Sequence, residues 1–584
     1  MRSLPKNCAI ALFVSLALSS LAWPGEGLLW VRGIGTAAGD QFSGMVPDGQ
    51  GNIDIVGDFS GTIDLDPEAG VFPLTAKGSR DVFVARFDRD GRLVRAGQIG
   101  GSGASAGSAA TGSVANDGAG HLYIAGSFSG TVDFDPGAGV YEMTAAVAGN
   151  SDAFIVKLTT AGDFVWARQI SCPSGGAGPI TIAADAGAVY VAGTINGSCD
   201  FDPGPGTALL TSTAGMEDVY VSKLDAAGNY GWVTPFASTG SDIPNGMTVD
   251  RSGSVYTTGR ARGSIDYDPG PGTDIQTGDF FVIKQRLDGT EDWTRTFVSG
   301  LARAFGVAVD AAGAVYVAGS YNNTTDFDPG PGTALRTPAS TLSDGFVLKL
   351  DATGSYTWVY TFGSTLTDSA RRVAVMADGT VEVGGSFSGT VDFDPGPGTV
   401  ALTSAGGTDA LVLTLDGTGQ FVRAIGMGAA ASLDQVTDIG LDPGGNLLVA
   451  GTFGGSVDFD PGPGSTILTS AGGNDAFLWK YGLSEMHLSD DGTSIATIAF
   501  SPADSSFDVV KGLLSDLSRD TDYSQASCLY PLASAPVEDL SIPPAGDGYW
   551  YLARGKDCCA AEGYGDSTLV PDPRDLLDAS SPCP

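Results

Sequence analysis

The amino-acid sequence predicts an all-β fold: a seven-bladed β-propeller of four-stranded blades, with an N-terminal strand closing the last blade, followed by a small C-terminal β-sandwich-like module. Three observations predict it. The string DFDPGPG and its close variants return seven times, their first aspartates at Asp64, Asp133, Asp200, Asp266, Asp326, Asp392 and Asp458, separated by 69, 67, 66, 60, 66 and 66 residues. Each unit holds four short strand-like runs divided by glycine turns, and one extra run precedes the first unit. A repeat at nearly fixed period marks stacked units that bury their faces only against neighbours.

The runs, termed a to d, follow in order within a unit. Run a is small and apolar and ends in Asp, as in GVAVD (306–310). Run b reads VYVAG at 189–193 and 315–319. Run c opens with Asp and alternates, as in DAFIVKL (152–158) and DGFVLKL (344–350), and run d carries an aromatic or valine, as in YTWVYTF (356–362). Such runs bounded by Gly and Asp read as strands and turns. The final c run, 475–481, has no d run after it, whereas LLWVRGIG (28–35) is of type d and precedes the first a run. This run is expected to supply the outer strand of the last blade and lock the ring. The pattern of a strand ending in Asp, VYVAG, a DF segment and then DAFVxKL with a D-x-x-G turn resembles the bacterial secreted propeller repeats known as SBBP repeats, over about residues 28–481. The resemblance implies the propeller fold and hardly any activity, because propellers host many functions.

The two ends differ from the array. Residues 1–22 have Arg2 and Lys6, then an apolar run closing on Ser20-Leu21-Ala22, which reads as a signal peptide and predicts a secreted, extracellular or cell-surface protein. The propeller is expected over 23–482 and the C-terminal module over 483–584. In that module SFDVVKGLLSDL, then a cysteine, then GDGYWYLARG resemble the fibronectin type III-like tail modules of secreted bacterial proteins; a sorting or anchoring tail is the other reading. Cys172, Cys199, Cys528, Cys558, Cys559 and Cys583 remain once the leader is removed, an even number suited to disulfides, with Cys528 expected to pair with Cys558 or Cys559. A formal net charge of −37 repels phosphates and anionic lipid, so nucleic acid is not a partner, and no apolar run outside the leader is long enough to span a membrane.

The repeated motif is the candidate site. Alternation puts its two aspartates on the same side of an extended strand, and Pro then Gly-Pro-Gly suits a tight reversal, so each blade is expected to carry an extra hairpin. Parity places all seven hairpins on one rim. Asp64, Asp66, Asp133, Asp135, Asp200, Asp202, Asp266, Asp268, Asp326, Asp328, Asp392, Asp394, Asp458 and Asp460 are the candidate ligands for Ca2+, which seeks six to eight oxygens. Against this stands a purely local role, in which the carboxylates accept backbone N–H bonds and hold the turn. The aspartates that open run c (Asp81, Asp152, Asp218, Asp279, Asp344, Asp409, Asp475) are read as strand-entry turns.

Catalytic signals are few. There are two histidines, and GASAG at 103–107 places Ser105 in a loop without the strand and helix that a nucleophile elbow needs. Run b usually carries Tyr, as in VYVAG, but Asp54 and Glu382 stand in its place in units one and six, and paired carboxylates could serve a glycosidase. Arg260 and Arg262 of unit four are expected to pair with rim aspartates, and the tryptophans of run d to pack between blades. The expected function is a monomeric, non-enzymatic extracellular binding or scaffold protein whose partner is a protein or polysaccharide. The alternatives are a carbohydrate-active lyase or hydrolase using the propeller funnel, and a structural surface-layer component.

Overall fold

The computed structural model describes residues 26–483, apart from 36–40, 69, 102–113, 214–216, 237–239, 269–271, 397 and 431, together with six strands between His487 and Gly555. Every regular element among the described residues is a β-strand. No helix there is long and apolar enough to cross a membrane. The leader and Ser105 lie outside the described residues.

Strands a to d of a unit pair antiparallel in that order. Unit five shows why: Arg303–Val309, Val315–Tyr321, Asp344–Leu350 and Tyr356–Phe362 form one sheet. Every residue of strand b, Val315–Tyr321, is buried, whereas outer strand d is only partly covered, with Thr357 exposed and Tyr356, Trp358 and Thr361 half-buried. A continuous apolar run thus becomes an inner strand covered on both faces, and an alternating run becomes the edge.

The seven separate blades expected from the repeat are corrected to five separate four-stranded sheets, those of units one, four, five, six and seven. The repeats numbered two and three share one larger sheet, because Phe164–Asp185 runs unbroken from strand d of one into strand a of the next. The d to a connection here is small-residue chain that pairs with the elongated strand b, Ala188–Asp200, through Ser174 with Ser198, Gly175 with Gly197 and Gly176 with Asn196. A disulfide between Cys172 and Cys199 ties the two strands together. In unit seven the order is Glu26–Ile34, Asp475–Leu483, Leu447–Phe453, Gln435–Leu441, so the N-terminal run supplies strand d.

The a strands line up side by side. Gln41–Pro47 of unit one packs against Val114–Asn116 of unit two and also against Gln435–Leu441 of unit seven, and each intervening a strand packs against the next. Between units, side chains of one blade seize the c to d turn of the following blade. Trp166 Nε1 and Lys157 Nζ both donate to the Ala226 carbonyl (3.3 and 3.0 Å), and Trp232 Nε1 and Lys223 Nζ to that of Leu287 (3.1 and 3.2 Å). Arg168 Nε donates to Gly228 (2.9 Å), Arg295 Nε to Gly354 (3.0 Å) and Arg32 Nε to Gly91 (3.1 Å). The turn glycine is required twice over: Gly289 has φ +86°, and a Cβ there would lie 2.7 Å from the Trp232 ring. The tryptophans therefore pack between units, as their repeat position predicts.

The C-terminal strands form two three-stranded sheets, His487–Asp490 with Ala496–Ala499 and Val537–Asp539, and Ser527–Ala533 with Phe507–Leu513 and Tyr549–Gly555. The expected pairing of Cys528 with Cys558 or Cys559 falls outside the residues whose side chains are described.

The disulfide closes a loop with sequence separation 27. Replacing both Cys172 and Cys199 by alanine is expected to cost about 3 kcal/mol, read as a lower urea midpoint. An unchanged midpoint for the double variant would show that the bond contributes nothing to this sheet.

Candidate functional site

Each DFDPGPG segment forms a short antiparallel hairpin in the b to c connection. Examples are Thr62–Asp64 with Pro73–Thr75, Thr131–Asp133 with Glu142–Thr144, and Ser456–Asp458 with Ile467–Thr469. The residue between the two aspartates points the other way and is buried in every unit: Leu65, Phe134, Phe201, Tyr267, Phe327, Phe393 and Phe459. It anchors the hairpin to the blade. Phe327 meets Phe346 of its own unit at 4.9 Å between ring centroids and Phe280 of unit four at 6.5 Å. A second anchor, not foreseen from sequence, is a hydroxyl pair across the hairpin in all seven units, such as Thr131 with Thr144 (2.9 Å) and Ser198 with Thr211 (2.8 Å). Its signal was a Ser or Thr thirteen residues before another, which the conspicuous DFDPGPG overshadowed.

The aspartates act on their own backbone. Oδ1 of the first accepts the N–H of the second aspartate and the N–H eight residues on. For Asp326 these come from Asp328 (3.1 Å) and Ala334 (2.7 Å), for Asp200 from Asp202 (3.1 Å) and Ala208 (2.8 Å). The same pair of bonds recurs at Asp64, Asp133, Asp266, Asp392 and Asp458. Oδ1 of the second aspartate accepts the N–H two residues later, as Asp135 does from Gly137, Asp328 from Gly330, Asp394 from Gly396 and Asp460 from Gly462, each 2.8 Å. Its Oδ2 lies against the last glycine of the motif, so that a Cβ at Gly206 or Gly332 would fall on Asp202 or Asp328. The two aspartates and the final glycine are thus one local device, an Asx-type turn closed on itself.

A calcium site fits this donor set poorly. One oxygen of each pair, Oδ1, already accepts amide hydrogens, and among the described residues no three His, Cys, Asp or Glu side chains gather as metal ligands.

The unit-specific acids are internal. In units two to five a column crosses the blade: the tyrosine of strand b donates to the aspartate ending strand a (Tyr256 to Asp250 and Tyr316 to Asp310, both 3.1 Å). The facing lysine of strand c lies over the ring, Lys284 at 5.4 Å and Lys349 at 4.7 Å. Asp54 takes the tyrosine's place in unit one and Arg86 the lysine's; Asp54 pairs with Arg86 (2.7 Å) and Arg95 (2.9 Å), and Arg86 also with Asp48. Burial pushes Asp54 up to about 6 against the pull of both arginines. Glu382 in unit six accepts from Thr414 Oγ1 (2.8 Å) and pairs with Arg423 (3.2 Å). Both carboxylates are buried, in different units, each with a basic partner.

Arg260 Nη2 donates to the Ser241 carbonyl (3.2 Å) rather than to a hairpin aspartate. His121 is half-buried, its Nδ1 2.8 Å from Asp117 Oδ2. The run c aspartates are strand-entry turns as expected; Asp344 Oδ2 accepts the Ala339 N–H (2.9 Å). Sequence reasoning passed over a cavity of about 600 Å3 between strand d of unit four and the hairpin of unit five, lined by Gln276, Thr294, Arg295, Asp328 and Tyr356. Gln276 there donates to Asp274 (2.7 Å). Burial first, and then the neighbouring Asp274, push Glu291 up to about 7.

The family profile described as Beta-propeller repeat (SBBP) matches residues 231–266, from strand d of unit three to the first aspartate of unit four's hairpin. The uncharacterized WD repeat-containing protein L264 of Acanthamoeba polyphaga mimivirus is 22% identical over 518 residues, 73% of this chain but only 36% of the viral protein. Among solved structures, a protein of unknown function from Bacteroides caccae is 11% identical, with 55% of this chain and 87% of that one covered at a TM-score of 0.27. For one from Dyadobacter fermentans the values are 13%, 64%, 93% and 0.29, and for the GH74 xyloglucanase of Xanthomonas campestris 11%, 81%, 86% and 0.23. None of these structural likenesses bears on function.

Two outcomes are expected. Asp326→Ala should lower stability by about 1–3 kcal/mol, because two amides lose their acceptor, while Asp326→Asn, which keeps a side-chain oxygen, should lose far less; equal losses would point to the charge itself. Glu291 carries a folded value near 7 against an ordinary 4.5, so the stability it contributes is present below about 4.5 and is lost as the pH rises through about 7. Melting temperatures across that range should fall less steeply in Glu291→Gln; parallel curves would refute this.

Proposed function

We propose that the chain is a secreted, non-enzymatic binding or scaffold protein in which seven repeat units make one propeller and the ring of hairpins is the working surface. The observation that carries this reading is the sevenfold recurrence of one hairpin with the same internal bonding. A catalytic centre needs unlike groups converging on a single point, whereas repeated like surfaces suit an extended or repeating partner engaged at several places. Leu209, Ile275, Leu335 and Ile467 are exposed at the same position of their hairpins, next to the acidic turns. An extracellular protein or polysaccharide could bury such aliphatic side chains while the net charge of −37 keeps nucleic acid away.

The acids that an enzyme would use support the same reading. Asp54 and Glu382 are enclosed and held by arginines, which suits replacement of the tyrosine and lysine of other units better than proton transfer to a substrate. The fourteen motif aspartates, in this reading, shape the rim and need no calcium to do so.

The test is a panel of extracellular polysaccharides and matrix proteins offered to the mature chain, with binding and product formation followed together. Binding without turnover is expected. Turnover that disappears in Asp54→Asn or Glu382→Gln would replace this reading with the lyase or hydrolase.

A further inference from the structure

The boundaries between consecutive units differ in one respect that the hairpins do not explain. At four of them, the aspartate opening strand c lies beside the residue that opens strand a of the next unit. The backbone N–H of that residue donates to the carbonyl just before the aspartate: Ala177 to Ser151 (3.3 Å), Asp242 to Glu217 (3.3 Å), Asp368 to Ser343 (2.7 Å) and Asp434 to Thr408 (2.8 Å). The opening residue of strand a is alanine in units three and five (Ala177, Ala302) and aspartate in units four, six and seven (Asp242, Asp368, Asp434).

With alanine there, the strand c aspartate is well supplied with donors. Asp152 accepts from Cys172 (3.1 Å) on Oδ1 and from Ala146 (2.9 Å) on Oδ2, and Asp279 from Ser299 and Gly300 (2.5 and 2.6 Å). With aspartate there, the newcomer takes the equivalent amide and one more at strand b of its own unit: Asp368 accepts from Ser364 (2.7 Å) and Ser388 (2.8 Å), and Asp434 from Ala429 (2.9 Å) and Gly454 (2.7 Å). Its neighbour is left short. Asp344 and Asp409 keep one amide each on Oδ2, from Ala339 (2.9 Å) and Ala405 (2.8 Å), while Oδ1 of both is buried without a partner, as is Oδ1 of Asp218 beside Asp242.

The charges at these boundaries are enclosed. Asp344, Asp368, Asp409 and Asp434 are 5%, 0%, 4% and 1% exposed, and among the described residues no arginine or lysine pairs with them. Burial disfavours the charge of all four, and Asp368 beside Asp344 and Asp434 beside Asp409 add repulsion between like charges. A water molecule could satisfy an orphaned oxygen but would leave two like charges facing each other in a low dielectric. A cation satisfies both demands.

We infer that each of the two boundaries at which such aspartates face each other without a basic partner binds one hard cation, with Oδ1 of Asp344 and Asp409 as its protein ligands and Asp368 and Asp434 as the second negative charge. Main-chain carbonyls and water complete the shell, as Ca2+ ordinarily requires. These sites are separate from the hairpin aspartates and independent of what the rim binds.

The test uses the mature chain stripped with a chelator, and Ca2+ as the probe. Calorimetric titration is expected to give about two ions per chain, and saturating Ca2+ to raise the melting temperature by about 2–5 °C. Asp344→Asn with Asp409→Asn should remove both ions and the rise; Asp152→Asn with Asp279→Asn, at boundaries with one aspartate, should remove neither. Three results overturn the inference: no ion bound, about seven ions bound with the Asp344→Asn, Asp409→Asn chain unaffected, or a melting temperature that responds to acid between pH 7 and 5.5 but not to Ca2+. The last would assign a shared proton to the boundaries.

Discussion

The structure depends on a side chain that alternation turns inward between two that it turns outward. In DFDPGPG the central aromatic enters the blade, and the flanking aspartates stay in the turn. The inward ring also reaches the previous unit: Phe393 lies 5.7 Å from Phe387 of its own unit and 5.4 Å from Phe362 of unit five, and Tyr267 lies 5.7 Å from Phe281 and 5.8 Å from Phe236 of unit three. A four-stranded sheet of this size cannot bury both faces by itself, so stability must come from contacts between neighbours. One residue of the motif therefore serves the hairpin, the blade and the seam.

The acidity of the chain follows from how its turns are made. Aspartates close the a to b turns, the c to d turns and the corners of the hairpins by accepting backbone N–H groups two to eight residues away, and those that open strand c also accept amides 20 residues on. A carboxylate is a stronger acceptor than a hydroxyl or an amide, and amide hydrogens around it lower the cost of its charge. The surplus negative charge is mostly dispersed over solvated turns, where salt screens it. Where two aspartates meet between units, the same habit brings two buried charges of one sign together.

Departures from the repeat are repairs within it. Asp54 with Arg86 and Glu382 with Arg423 keep a polar column where other units have tyrosine and lysine: Arg86 faces Asp54 across strands b and c, whereas Glu382 faces Thr414 and Arg423 reaches it from strand d. The merged sheet of units two and three is a second departure. Small residues let the connecting chain extend along strand b, and the disulfide between Cys172 and Cys199 holds it there.

The sequence by itself determined what repeats locally. The period, the four strands of a unit, the extra hairpin, the turn role of the run c aspartates and the placing of Glu26–Ile34 in unit seven all follow from alternation and turn chemistry over a few residues. Tertiary structure alone decided which charges meet. The partners of Asp54 lie 32 and 41 residues away, and Asp368 reaches Asp344 only because strand a of one unit is laid beside strand c of another. No spacing rule encodes such meetings, since they depend on how blades pack rather than on how a strand alternates. For the same reason five separate sheets could not be told from seven: hydrogen bonds between Phe164–Asp185 and both its neighbours carry the chain through a connection that, residue by residue, reads as loop.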